Sequence, residues 1–132
     1  MARVDEKKQP IAGTSRFVPC DTLLLSIGLI PENELTRQAS IAMAPRTSGA
    51  FVDDTLMTSI PGVFSCGNVL HVHDLVDWVS EEASQAGAFA ATYLNGELPV
   101  KRTPVKIEPG RGVGYVMPQE ASGLKDFTIS LR

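Results

Sequence analysis

The sequence predicts an α/β fold, because it places an apolar run, a glycine-ended strand and an amphipathic helix in succession. Residues 23–30, LLLSIGLI, are apolar on both faces, which is typical of a strand buried inside a sheet. Residues 63–67, VFSCG, form a second short strand that ends on glycine. Residues 78–94 repeat apolar side chains every three or four positions and lead into Asn95-Gly96, which predicts a helix that ends there.

Size, charge and the N-terminal residues limit the classes of function. The chain has 132 residues, 43% of them hydrophobic, and a formal charge of −3, which fits one globular domain. Its basic residues are scattered, so we expect neither a nucleic-acid partner nor an anionic membrane surface. The N-terminal MARVDEKKQP is polar and the longest apolar run is too short to span a bilayer, so we expect a cytoplasmic protein.

The N-terminal segment, residues 1–28, is predicted to form a strand hairpin. Its second strand runs into LLLSIGLI, which requires a covering layer on each face. A two-stranded hairpin cannot cover both of its own faces. We therefore expect either that other chains complete the sheet or that the sequence which normally surrounds it is absent here.

The middle of the chain alternates short elements with turns. PENELTRQAS, which begins at Pro31, predicts a short helix. Residues 41–67 predict three short strands, which are broken at PRTSG and SIPG. The main helix is predicted over Trp78 to Leu94, with Asp77 or Ser80 as its cap and with Glu81 and Glu82 in its first turn.

Residues 99–132 differ in composition from the rest of the chain. Four prolines punctuate this region, and TPVKI, VGYVM and DFTISLR are candidate strands. The alternation is weak and no closing element follows. We expect the start of a small C-terminal β unit that is incomplete in this sequence.

The stretch HVHD is a candidate metal site. His71 and His73 alternate, so an extended segment would point both rings to one side, and Asp74 and Asp77 offer carboxylate oxygens that suit zinc or iron. The sequence contains no third histidine. We therefore expect no metal ion here and interpret both histidines as solvated or hydrogen-bonded loop residues, with the metal site as the alternative.

Nucleophilic catalysis has little support in the sequence. There is no GxSxG elbow; Ser65 lies inside an apolar strand and Ser80 is explained by helix capping. Cys20 and Cys66 are far apart and belong to no CxxC pair, so we expect two small buried thiols. A Cys66 nucleophile beside His71 or His73 is no better supported.

The strand end at Gly67 is the third candidate site. In open α/β sheets, ligands bind just beyond the carboxyl ends of strands, where helix N-termini offer unpaired N–H groups. Here Gly67 ends a strand, Asn68 follows it and a helix begins about ten residues later. This arrangement suits a sugar hydroxyl at Asn68 and an electron-rich carbonyl at the helix start.

Three motifs in order resemble the FAD-dependent pyridine nucleotide-disulfide oxidoreductases, a family that includes thioredoxin and glutathione reductases and NADH oxidases. They are CDTLLLSIGLIPENEL at 20–35, GAFVDDTLMTSIPGVFSCGN at 49–68 and EEASQAGAFAA at 81–91. Ile27, Gly28 and Pro31 match the family's exit from the nucleotide-binding lobe, so the resemblance places the hairpin of residues 1–28 at the edge of that lobe. The second FAD fingerprint is matched by Thr58, Pro61, Gly62, Val63, Phe64, Gly67 and Asn68.

The resemblance implies a fold and a cofactor site. The fold would be the C-terminal half of an FAD/NAD(P)-binding Rossmann-like domain, with a small incomplete β segment after it. Gly67 and Asn68 would meet the flavin ribityl chain, and the backbone N–H groups at about Ser80 and Glu81 would face the isoalloxazine ring. Asn68 stands where the family usually has an acid, and the HVHDLVD loop is longer than in thioredoxin reductase.

The family's dinucleotide-binding turns, GxGxxG, and its paired cysteine motif are absent from the sequence. We therefore expect part of a flavin-dependent oxidoreductase, with residues 29–98 as the C-terminal half of the FAD-binding domain. Hydride transfer from NAD(P)H to FAD would occur only in the complete protein, where the missing N-terminal part would be the partner of this chain. We expect this chain alone to bind no FAD. The alternative is a non-catalytic association or folding domain that homo-oligomerises.

Overall fold

A computed structural model describes residues 1–98, 103–122 and 126–132, and within them the chain has a mixed α/β architecture. The helical elements precede the strands in the chain, and each strand has only two residues. In order, the elements are helix α1 (Glu34–Gln38), a 3₁₀ turn (Gly67–Val69), helix α2 (Val76–Leu94) and strands β1 (Val105–Lys106), β2 (Val116–Met117), β3 (Glu120–Ala121) and β4 (Ser130–Leu131).

Helix α2 confirms the main helix that the apolar periodicity predicts, but it begins two residues earlier, at Val76. The predicted caps are wrong, because the N-cap is the extended Leu75 and no side chain caps the helix. Ser80 lies one turn inside, where its hydroxyl donates to the Val76 carbonyl at 3.2 Å. In the described part of the chain, no helix has both the length and the apolarity needed to cross a membrane.

The apolar run at 23–30 has no regular secondary structure and no strand partner, so the buried strand that was predicted does not form in this chain. Its side chains face solvent: Leu24 is 89% exposed, Ile27 91% and Ile30 85%. A buried strand needs hydrogen-bonded neighbours and covering layers, and the described residues supply neither. Upstream, the predicted hairpin is limited to a single bridge between Val4 and Pro10.

Residues 41–66 form tight turns where three short strands were predicted. Their pairing consists of isolated antiparallel bridges, Met43 with Ala50, Val52 with Thr58 and Met57 with Phe64. The turns are too close together for regular ladders to extend. The segment nevertheless contributes three of the five buried residues in the core cluster.

The core gathers one group of buried side chains from distant parts of the sequence. Leu70 and Ala50 are fully buried, and the partly buried Tyr115 packs on the cluster. The buried members are Ile41, Ala50, Val52, Leu70 and Met117. Gly49 approaches so closely that a β-carbon there would lie 1.8 Å from the Leu70 carbonyl oxygen.

The C-terminal strands pair as two antiparallel ladders, β1 with β3 and β2 with β4. Three of them fall within the segments predicted as strands, whereas β3 was not predicted. Val52 donates its N–H to Gln119 at 3.0 Å, which ties this region to the core. Residues 99–102 and 123–125 of the predicted β unit lie outside the described residues.

Candidate functional site

A tight turn leads the chain into the site. Gly62 has a φ of +82°, and the Val63 N–H donates to the Ile60 carbonyl at 3.1 Å. The chain then extends through Cys66 to Gly67, whose φ of +74° lies in the left-handed region that glycine adopts without strain. Gly67 is therefore required by the backbone where the direction of the chain reverses.

The 3₁₀ turn at Gly67–Val69 orients the histidine loop. The Gly67 carbonyl accepts N–H groups from Leu70 at 2.8 Å and from His71 at 3.2 Å. The Asn68 side-chain oxygen accepts the His73 N–H at 3.1 Å. Asn68 is itself exposed, while Leu70 anchors the loop in the core.

Two histidines and a glutamate converge where this loop meets helix α2. Glu82 reaches His71 Nε2 with one oxygen at 2.9 Å and His73 Nε2 with the other at 3.2 Å. The second oxygen also accepts the Gly67 N–H. The imidazole rings lie 4.1 Å apart between centroids, and the Tyr115 hydroxyl lies 3.3 Å from His71 Nδ1. We call His71, His73 and Glu82 the His-Glu-His cluster.

Charge and burial act against each other at this cluster. Burial alone would raise the pKa of Glu82, but the hydrogen bonds from His71, Gly67 and His73 and the charge of His71 leave that pKa below its usual value. The pKa of the Cys66 thiol is raised, first by burial and then by the negative charge of Glu82. Glu82 is therefore held as a carboxylate, and Cys66 as a thiol.

A cleft of about 570 Å³ opens beside the cluster. Trp78, Glu81 and Tyr115 line it together with the cluster. At its edge Arg132 pairs with Asp74 at 2.7 Å and donates to a backbone carbonyl of the histidine loop. The cleft gives a small molecule or ion access to the histidines.

The start of helix α2 is an open donor site. A helix that begins at Val76 after the N-cap Leu75 leaves four N–H groups, those of residues 75–78, without partners inside the helix. No side chain caps them, and the neighbouring apolar side chains are exposed: Leu75 is 58% exposed, Val76 73% and Trp78 57%. Uncapped donors beside exposed apolar groups suit an aromatic ring that carries acceptor oxygens.

The predicted site residues separate in the structure. Gly67 and Asn68 share the 3₁₀ turn, and Glu81 lines the cleft. Ser80 bonds back to its own helix, and its N–H, like that of Glu81, lies beyond the free first turn. The binding of flavin by these four residues stays a prediction.

The structure also corrects the metal hypothesis. The carboxylate that meets the histidines comes from Glu82, whereas Asp74 pairs with Arg132. Reasoning from sequence placed Glu82 only as a helix-start acid and did not identify Tyr115. Their signals are weak, because Glu82 is one of two adjacent glutamates and Tyr115 lies 44 residues after His71.

Comparison with known proteins gives consistent results. The chain is similar to the biphenyl dioxygenase system ferredoxin–NAD(+) reductase component of Paraburkholderia xenovorans, with 39% identity over 88 residues. It is also similar to a nitrite reductase [NAD(P)H] of Neurospora crassa, with 40% identity over 52 residues. These alignments cover 67% and 39% of this chain, but only 19% and 4% of the two relatives. No solved structure matches the chain.

The family model described as pyridine nucleotide-disulphide oxidoreductase matches residues 2–90. This span contains the Gly67 turn, the His-Glu-His cluster and the open start of helix α2. It also contains the exposed apolar run at 23–30. The chain therefore belongs to the pyridine nucleotide-disulphide oxidoreductase family of flavoproteins, which is built on FAD- and NAD(P)-binding Rossmann-like domains.

Proposed function

We propose that this chain supplies the ribityl and isoalloxazine side of the FAD site in a flavin-dependent NAD(P)H oxidoreductase. The observation that carries the proposal is the Gly67–Asn68 turn, which lies between a short extended segment and a helix whose first N–H groups are free. When bound, FAD would accept a hydride from NAD(P)H. The chain's own residues would hold and orient the flavin.

The residues at this place fit a flavin. Asn68 is exposed and carries both a donor and an acceptor for hydroxyl groups, although its oxygen already accepts the His73 N–H. A β-carbon added to Gly67 would lie 3.4 Å from Cγ1 of Val79, so the turn and the start of the helix are closely packed. The free N–H groups of residues 75–78 support a ring contact at the helix start, just before Ser80 and Glu81.

The rest of the FAD site would come from polypeptide that this chain does not contain. The chain spans about one fifth of its ferredoxin–NAD(+) reductase relative, and the sequence has no GxGxxG turn for the pyrophosphate. Six apolar side chains of residues 23–30 are at least 69% exposed. We propose that this run is a sheet strand whose neighbours lie in the missing N-terminal part, with residues 29–98 as the C-terminal half of the FAD-binding domain and residues 99–132 as the start of a small β unit.

The ribityl contact can be tested in the full-length oxidoreductase with Asn68→Leu. This change removes both hydrogen-bonding groups while keeping the branched shape of the side chain, so we expect a lower ratio of flavin to protein after gel filtration. Asn68→Asp, which restores the acid usual in the family, should keep flavin. Asn95→Leu, at the exposed far end of helix α2, is the matched control. Full flavin content in Asn68→Leu would refute the contact.

The 132-residue chain alone gives a second test of the same proposal. Without a pyrophosphate site it should purify colourless, and added FAD should leave its melting temperature unchanged. A yellow protein with stoichiometric flavin would show that the site is complete in this chain, contrary to the proposal.

The exposed apolar run also supports an alternative function, a non-catalytic domain that homo-oligomerises. An unpaired apolar strand is a template for pairing with a second copy. Analytical ultracentrifugation distinguishes the two functions, because self-pairing predicts a dimer that Ile27→Asp converts to monomer. Phe17→Asp, at an equally exposed position outside the run, is the control. A monomeric wild-type chain would exclude the alternative.

A further inference from the structure

We propose that the His-Glu-His cluster is a binding site for a divalent transition-metal ion, with Zn²⁺ as the best match. His71, His73 and Glu82 each offer one ligand atom, and these atoms all lie within 4.8 Å of one another. They are the one such group of three or more among the residues that the structure describes. Metal binding at this site needs no polypeptide beyond this chain, because every ligand belongs to it.

The distances in the cluster match those of a metal site with the ion absent. Zinc bonds of about 2.0–2.2 Å in a tetrahedron put neighbouring ligand atoms about 3.4 Å apart. Glu82 lies 2.9 Å from His71 Nε2 and 3.2 Å from His73 Nε2. These two contacts are to different carboxylate oxygens, so a rotation of the carboxylate together with a small outward movement of the side chains would open the cluster for an ion. In its absence, the carboxylate links the two imidazoles by hydrogen bonds.

The surroundings hold the ligands in a binding orientation. Metal-bound histidines usually have a hydrogen bond at the other ring nitrogen, which fixes the ring and its tautomer. Tyr115 provides this partner at His71 Nδ1, 3.3 Å away, and packs edge-on against the ring at 5.7 Å. Gly67 does the same for Glu82 through its N–H. His71 is only 7% exposed, so its position is fixed by packing as well.

The donor set determines the class of ion. Two imidazole nitrogens and one carboxylate oxygen suit zinc or iron(II), and among divalent ions such nitrogen-rich sites hold magnesium and calcium poorly. Cys66 is not part of the cluster. The cleft beside it leaves a coordination position open to water or to another ligand. Three protein ligands with an open position are typical of catalytic rather than structural zinc sites.

The test is zinc titration of the metal-free 132-residue chain by calorimetry. We expect one Zn²⁺ per chain. Glu82→Gln and His73→Gln each remove a ligand at nearly constant volume, so affinity should fall by more than the roughly 10- to 100-fold that loss of an outer partner costs. The loss of zinc affinity caused by Tyr115→Phe should lie within that 10- to 100-fold range. Glu97→Gln, an exposed charge-matched change, should bind as the wild type does.

Cobalt(II) gives a readout that does not depend on affinity. The Co²⁺-loaded chain should absorb in the visible region without the near-ultraviolet charge-transfer band of a thiolate ligand, and Cys66→Ala should leave the spectrum unchanged. Circular dichroism confirms that each variant is folded. The proposal is overturned if zinc does not saturate the chain, if folded Glu82→Gln binds like the wild type, or if the thiolate band appears.

Discussion

Gly49→Ala should destabilise the chain through backbone contact with Leu70. A β-carbon on Gly49 would lie 1.8 Å from the Leu70 carbonyl oxygen and 2.5 Å from its carbonyl carbon. Packed carbon atoms normally approach to about 3.5–4.0 Å, so one of the two backbones has to move by more than about 1 Å. Overpacking a core costs about 1–3 kcal/mol. Because both groups are backbone and buried, we expect the upper part of that range.

Gly87→Ala is the matched control. Gly87 lies in helix α2, and an added β-carbon would meet nothing within 4 Å. Alanine is favoured over glycine in a helix interior by about 0.5–1 kcal/mol. The same substitution at two positions should therefore change the free energy of unfolding in opposite directions.

Urea unfolding followed by far-ultraviolet circular dichroism measures both effects. Leu70 immediately precedes His71, so Gly49→Ala should also weaken zinc binding, whereas Gly87→Ala should not. If Gly49→Ala is as stable as the wild type, the close approach of Gly49 to Leu70 is wrong. Destabilisation by Gly87→Ala would contradict the open surroundings of that residue.

Two further outcomes follow from contacts elsewhere. Asn33 is 1% exposed, and its side-chain amide donates to two backbone carbonyls at 3.0 and 2.7 Å. Asn33→Asp should therefore lower the free energy of unfolding by about 3 kcal/mol in urea melts. The same change at the exposed Asn95 should lower it by less than about 1 kcal/mol. Iodoacetamide should modify the exposed Cys20 before Cys66, because burial and the negative charge of Glu82 raise the pKa of the Cys66 thiol. Peptide mass spectrometry measures the order of modification. Faster modification of Cys66 would contradict its partly buried placement.

Local signals in the sequence predicted the elements that local interactions determine. Helix α2 was found because its apolar period and its Asn95-Gly96 end lie within the segment itself. Its beginning was missed by two residues, since Leu75 carries no capping group. The run at 23–30 was predicted as a buried strand, but a strand also depends on distant partners. The described residues do not contain them, so its apolar side chains remain exposed.

In the candidate site, too, the feature set by local sequence was predictable and the feature set by distant contacts was not. The turn at Gly67 was predictable because a glycine that follows a short apolar strand indicates a close backbone approach, and its φ of +74° agrees. The convergence of Glu82 on His71 and His73 was not predictable from spacing. It depends on how helix α2 packs on the 3₁₀ turn, a contact to which the hydrogen bond from the Gly67 N–H to Glu82 contributes.

The two proposed sites therefore differ in what they require. The His-Glu-His cluster takes its ligands and their outer partners from residues 67–115 of this chain, so the ordering of those side chains is achieved when the chain folds. The flavin site has donors at the start of helix α2 but no pyrophosphate turn, so much of its binding energy must come from other polypeptide. Zinc affinity should then be a property of this chain alone. Flavin affinity should appear only when the apolar run at 23–30 is covered.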